Sequence, residues 1–173
     1  MKEVVGYKAF NKDLTNRYGK KFEVGKIYIA PGIIKFGNNG NGFHLCRNME
    51  DTFRYFDPEN MTLCEVIGSG EMDEGIDHYY GFYDMYAVER LKVLKELRRL
   101  EIIEQGLKLN EVRAERFVSL FPLTREEIIL FKERFRRYSN VLDAIAYHQE
   151  ENEKIYYKRK GMLNSKKLLF FLL

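Results

Sequence analysis

A chain of 173 residues that is 45% apolar, with 13 Phe, 12 Tyr and no Trp, is long enough for a buried core plus an appendage and too apolar for disorder. Its two cysteines, Cys46 and Cys64, are too few for a disulfide framework and match no zinc spacing, and no run approaches the roughly 20 apolar residues of a membrane span. The net charge of +3 is uneven, −3 over residues 1–87 and +6 over 88–173, where Lys and Arg alternate with Glu as on a solvated helix face.

Eleven of the 13 glycines precede residue 82, which predicts strands and turns in the first half and helices in the second. Val4 to Phe10 is β-rich and opens the chain as a strand. Phe22 to Ala30 reads as a hairpin region broken at Gly25, Pro31-Gly32 as a turn, and Ile33 to Phe36 as a further short strand. The loop at 37–42 consists of glycine and asparagine, which tolerate positive φ. Phe43 to Cys46 is a strand, and Asn48 is placed to cap a short helix running to Phe56. Met61 to Ile67 is a strand ended by Gly68-Ser69-Gly70, followed by an acidic, Tyr-rich loop from Glu71 to Asp84. Ala87 to Leu97 fits either a strand or a helix, because Val88, Leu91, Val93, Leu94 and Leu97 serve both periods.

The second half reads more directly. Glu111 to Phe121 is a helix stopped by Pro122. Thr124 with Glu127 is a capping box, and Ile128, Phe131 and Phe135 line one face of the helix it starts. Asn140 is placed to cap another helix, with Val141, Ile145 and Ile155 on one side and a polar stretch from Gln149 to Lys160. The last residues, Leu168 to Leu173, are continuously apolar; they are expected to dock on the helices at 111–137 or to form a homodimer seam.

The chemistry-bearing residues are sparse. The loop at 37–42 lacks the Lys-Ser/Thr of a P-loop and reads as a connection. His44, His78 and His148 stand apart in sequence, and His44 reads as a hydrogen-bonded histidine of a half-buried strand. The stretch from Asp73 to His78 lacks the EF-hand spacing, so no metal site is expected. His44 and Cys46 share a strand face, but nothing in the sequence orients them as a dyad.

Gly42-Phe43-His44-Leu45-Cys46, then Thr52 and Tyr55, then Leu63-Cys64-Glu65-Val66-Ile67-Gly68 read as strand, helix, strand. This order resembles the ADP-ribosyltransferases of the poly(ADP-ribose) polymerase type. Residues 1–97 also resemble a small uncharacterised domain of phage and bacterial proteins with a Tyr-Lys-Ala-Phe opening, a Gly-Lys-x-Tyr step and a Gly-Phe-His-x-Cys motif; here these are Tyr7 to Phe10, Gly25 to Tyr28 and Gly42 to Cys46. The transferase resemblance implies an NAD site of Tyr7, Gly42, His44 and Tyr55. It implies a triad in which Lys8 replaces the ribose-holding residue, His44 the nicotinamide-stacking tyrosine, and Glu89 stands as the acidic member.

The reading is an α+β protein. Residues 1–97 form a Gly-rich, mostly antiparallel split sheet, ADP-ribosyltransferase-like, and residues 98–173 a helical region that packs on it or on a partner. Met1-Lys2-Glu3-Val4 opens no secretory signal, and the chain is expected in the cytoplasm. The expected function is that of a non-catalytic accessory or interaction protein of phage or mobile-element origin, acting through a protein partner without a cofactor. Two alternatives stand beside it: an NAD-dependent ADP-ribosyltransferase with the atypical triad Lys8, His44 and Glu89, and nucleic-acid binding by the basic helical tail.

Overall fold

The computed structural model describes residues 2–37, 40–77 and 83–150. The protein is α+β, and its chain divides into two compact units, Met1–Ile102 and Ile103–Leu173. The first unit holds β1 (Glu3–Asn11), β2 (Ile27–Ile29), β3 (Phe43–Cys46), a 3-10 turn at Glu50–Arg54, β4 (Met61–Asp77) and β5 (Tyr83–Glu96). α1 (Arg99–Gly106) spans the division, and α2 (Glu111–Leu120), α3 (Arg125–Arg134), α4 (Ser139–Ile145) and a π-helical turn at Ala146–Glu150 follow.

All strand pairings are antiparallel. β1 pairs with β3 and β4, and β5 pairs with β2, β3 and β4, so β1, β4, β5 and β3 close a ring with β2 as a terminal strand on β5. The β1–β3 seam is narrow, a single register pair of Tyr7 with Cys46. Alternation sends one side of each strand inward. Phe10, Phe22, Leu45, Cys64, Val66, Tyr86, Val88, Leu91 and Val93 form that inner core. Gly6 and Gly68 are the sites of closest approach: a Cβ on Gly6 would lie 2.4 Å from Leu45 Cδ1 and 2.5 Å from the Cys46 carbonyl oxygen.

β4 does not stop at Gly68-Ser69-Gly70, and the acidic stretch after it is strand over 71–77 and again from Tyr83, while residues 78–82 lie outside the described residues. β4 runs on to Asp77, and β5 begins at Tyr83. The glycines make room instead of turning the chain. A Cβ on Gly68 would sit 2.7 Å from Val88 Cγ1, and Gly70, at φ +84°, lies in a bulge. Ser69 pairs with Arg90 and Met72 with Val88, so Gly70 and Glu71 together oppose Glu89. The bulge shifts the parity of β5, so Val88 and Leu91 are both buried in the core although three residues apart. That spacing mimicked a helix, and the segment 87–97 is strand as far as Glu96.

Three further elements differ from the sequence reading. The region 22–30 contributes one strand, β2, and not a hairpin, because Phe22 turns in to the core and Val24 makes only an isolated parallel bridge to Val93. Ile33–Phe36 is reduced to one bridge, Lys35 with Asn41. Asn48 caps no α-helix; its Nδ2 donates to Asp51 Oδ2 at 3.0 Å beside a 3-10 turn that buries Glu50, Asp51 and Thr52.

In the second unit α2 ends at Leu120, before Pro122. Thr124 and Glu127 form the capping box of α3, with Glu127 N to Thr124 Oγ1 at 3.3 Å and Thr124 N to Glu127 Oε2 at 2.7 Å. Phe117 stacks on Phe131 at 5.4 Å, and Phe131 on Phe135 at 5.9 Å. Gly106 lets these rings approach, since a Cβ there would lie 2.9 Å from both Phe117 Cζ and Phe131 Cζ. Asn140 is not a cap: α4 starts one residue earlier, and Asn140 Nδ2 donates to Glu115 Oε2 at 2.7 Å. Gln149 ties the bundle at its end, donating to the Val118 carbonyl and, at 3.0 Å, to that of Phe121, and accepting from Leu123 N at 2.9 Å. Ile155 and the apolar segment 168–173 lie outside the described residues. Among the described residues no helix is long and apolar enough to cross a membrane.

Two stability effects follow from these contacts. Gly6→Ala forces Leu45 and the Cys46 backbone to move and is expected to cost about 1–3 kcal/mol in chemical denaturation. Thr124→Ala removes the capping hydroxyl and is expected to cost about 1 kcal/mol, read in the same way.

Candidate functional site

The three motif segments, Tyr7 to Phe10, Gly25 to Tyr28 and Gly42 to Cys46, meet at the inner face of the first unit. Lys8 lies two residues from Phe10 on β1 and pairs in register with the buried Cys64 of β4, which puts its side chain on the inner face. Its Nζ donates to the His44 carbonyl oxygen at 2.5 Å and lies 5.8 Å from the centre of the Phe10 ring. Burial, reinforced by the nearby Arg17 and partly offset by the Cys46 thiol, lowers the Lys8 pKa from 10.5 to about 8.

The loop between β1 and Phe22 brings Lys20 to the rings of this face and Arg17 within electrostatic reach of Lys8. Asn16 Oδ1 accepts from Tyr18 N at 3.0 Å and Lys20 N at 2.9 Å, Gly19 takes φ +80°, and Phe22 N donates to the Leu14 carbonyl at 2.9 Å. This folds the loop back on itself and sets Lys20 Nζ 4.9 Å from the Phe43 ring centre, 5.4 Å from Tyr28 and 5.8 Å from Phe22. The rings themselves are in contact, Phe10–Phe22 at 4.9 Å, Phe22–Tyr28 at 4.6 Å and Phe22–Phe43 at 5.9 Å. The Tyr28 hydroxyl is buried and has no hydrogen-bond partner among the described residues.

The proposed triad is divided between two faces. Lys8 points inward. His44 pairs with Ala87 on the other face, where its ring meets Phe36 edge-on at 5.7 Å. Glu89 Oε2 accepts from Glu71 N at 3.0 Å and Oε1 from Arg90 Nε at 3.4 Å. The Glu71 amide is the main cause of its lowered pKa. Glu89 thus holds the bulge. Gly42, at φ +111°, has a backbone role, since a Cβ there would lie 3.1 Å from the Val88 carbonyl oxygen. Tyr55 donates its hydroxyl to Met85 Sδ at 3.1 Å, and Tyr7 sits at the β1–β3 seam. Cys64 is buried, and desolvation pushes its thiol up to about 12, so it stays protonated. Among the described residues no three His, Cys, Asp or Glu side chains are grouped to hold a metal ion. The sequence reading missed Arg17, Lys20 and the hydroxyl of Tyr28. Only the alternation Ile27-Tyr28-Ile29 signalled any of them, by turning Tyr28 to the side opposite its neighbours.

A family model described as a domain of unknown function, DUF7666, matches residues 4–105, and the chain belongs to that family. No curated protein and no solved structure matches it.

The lowered pKa of Lys8 makes a signed prediction. Between about pH 8 and 10.5 the unfolded chain holds the Lys8 proton and the folded chain has released it, so this group makes stability rise with pH across that window. Denaturation of the protein and of Lys8→Met, compared from pH 7 to 11, should show the variant's relative advantage greatest at pH 7 and shrinking as pH rises.

Proposed function

We propose that this member of the DUF7666 family is a non-catalytic interaction protein that holds a protein partner on the outer face of its sheet. The observation that carries the reading is a cross-strand row with aliphatic side chains on three of its four strands. Ile27, Lys92, Ile67 and Val5 follow one another in register from β2 through β5 and β4 to β1. Ile29, Arg90, Ser69 and Glu3 make the next row. Ile27 is 59% exposed, Ile29 60% and Val5 57%, so large apolar side chains stand in water on an open face.

Among the described residues β2 is also a free edge: its one ladder is to β5, and an extended partner segment can pair along the other side. Lys92 lies beside that edge on β5 with no ion pair among the described residues, while Lys26 and Arg90 already pair with Glu23 and Glu89. The fitting partner segment is therefore an extended strand that alternates aliphatic residues with Asp or Glu. The proposed triad residues have other employment, Lys8 on the His44 carbonyl and Glu89 on the bulge, which favours binding over catalysis.

A photo-crosslinking residue at Ile29, introduced in the cell of origin, is expected to trap one defined protein through an acidic β-strand segment. Ile27→Asp should abolish that adduct without lowering the melting temperature. An adduct with a second copy of the chain, or one indifferent to Ile27→Asp, overturns the reading. So does nicotinamide release from NAD that is lost in His44→Ala.

A further inference from the structure

We propose that Lys8, Arg17 and Lys20, with the rings of Phe22, Tyr28 and Phe43, form a binding site for a small organic anion carried on a planar ring, of the aryl phosphate class. Lys8 and the rings lie on the inner face, the side opposite the outer-face docking surface. Three observations converge on it.

The first is charge without a counter-charge. None of the three cations enters an ion pair with a carboxylate among the described residues, although the chain carries 26 Asp and Glu. Lys2, Lys26, Arg47, Arg90, Lys95 and Arg98 of the same unit do, while Lys12, Lys35 and Lys92 also make none among the described residues. From β4 the neutral Cys64 thiol faces Lys8, and Glu96 of β5 is next in that row but forms no ion pair with Lys8. Arg17 opposes the charge of the half-buried Lys8 ammonium, a cost that a bound anion removes.

The second is the Tyr28 hydroxyl, buried with no partner among the described residues, on a ring whose centre lies 5.4 Å from Lys20 Nζ. Buried hydroxyls are nearly always hydrogen-bonded, and an unpaired one marks a missing partner. An anionic oxygen accepts from it and from the ammonium groups together. The third is the ring cluster. Phe22, Tyr28 and Phe43 surround Lys20 Nζ within 5.8 Å, a wall against which a planar body can stack once that flexible side chain swings aside to grip the anion.

The probe is phenyl phosphate, titrated into the full chain at pH 7 and followed by amide chemical shifts and by thermal denaturation. Saturable binding is expected, with shifts centred on residues 17–28 and 43. Lys20→Gln and Arg17→Gln should each weaken it by about tenfold, and Tyr28→Phe should weaken it while leaving the fold intact. Inorganic phosphate should bind more weakly for want of the ring, and phenol, which has no charge, not at all. Raising the pH from 7 to 9 should weaken binding as Lys8 loses its proton. No saturable binding overturns the proposal, as does phenol binding as tightly as phenyl phosphate. If Lys20→Gln lowers the melting temperature while the probe never binds, Lys20 is only a cap on the aromatic cluster and the proposal falls.

Discussion

The first unit depends on the bulge at which Gly70 and Glu71 face Glu89. β4 and β5 form the longest ladder, and β4 must pair with β1 along one side while β5 takes β3 and β2 along the other. A strictly alternating hairpin of that length would turn either Val88 or Leu91 outward. The extra residue restores both to the interior, and bulges add the local twist that a closing sheet needs. Gly70 supplies the positive φ, and the Glu89 carboxylate accepts the Glu71 amide that the bulge takes out of the ladder. A carboxylate that resembled a catalytic group is thus a clasp of the backbone.

The helical unit was legible because its signals are local. A capping box, a proline stop and an apolar face at helical spacing act within one element, and Thr124, Pro122 and the row Ile128, Phe131, Phe135 stand as read. Asn48 and Asn140 show the limit of local chemistry: each has the residue type of a cap, yet each side chain bonds an acidic neighbour instead. In the first unit the glycines misled because punctuation and clearance look alike in one sequence. Gly68 and Gly75 lie inside a strand, where a Cβ would strike Val88 or the Phe36 ring at 2.4–2.7 Å. Those neighbours are distant in the chain, so nothing near the glycines announces them.

The candidate site was half legible for the same reason. Lys8 and His44 were singled out, and both lie on the strands that build it, but their relative facing is set by register, and register is a long-range property. β1 and β3 meet at Tyr7 and Cys46, which places the Lys8 side chain inside and leaves it only the His44 carbonyl, not the imidazole, to bond. Arg17 and Lys20 were invisible because an irregular loop carries no period. Their positions follow from Asn16 and Gly19, whose hydrogen bonds and positive φ fold the loop back over the rings.

The two faces are served by alternate residues of the same short strand. In β2, Ile27 and Ile29 stand outward while Tyr28 packs inward beneath Lys20. β2 has three residues and one ladder, so its backbone is the least constrained strand of the sheet. A segment pairing along its free edge would supply the second ladder and fix the backbone that carries Tyr28. An anion gripping the Tyr28 hydroxyl would in turn steady the edge. Each occupant would lower the ordering cost of the other, and linkage requires the two effects to be equal in free energy.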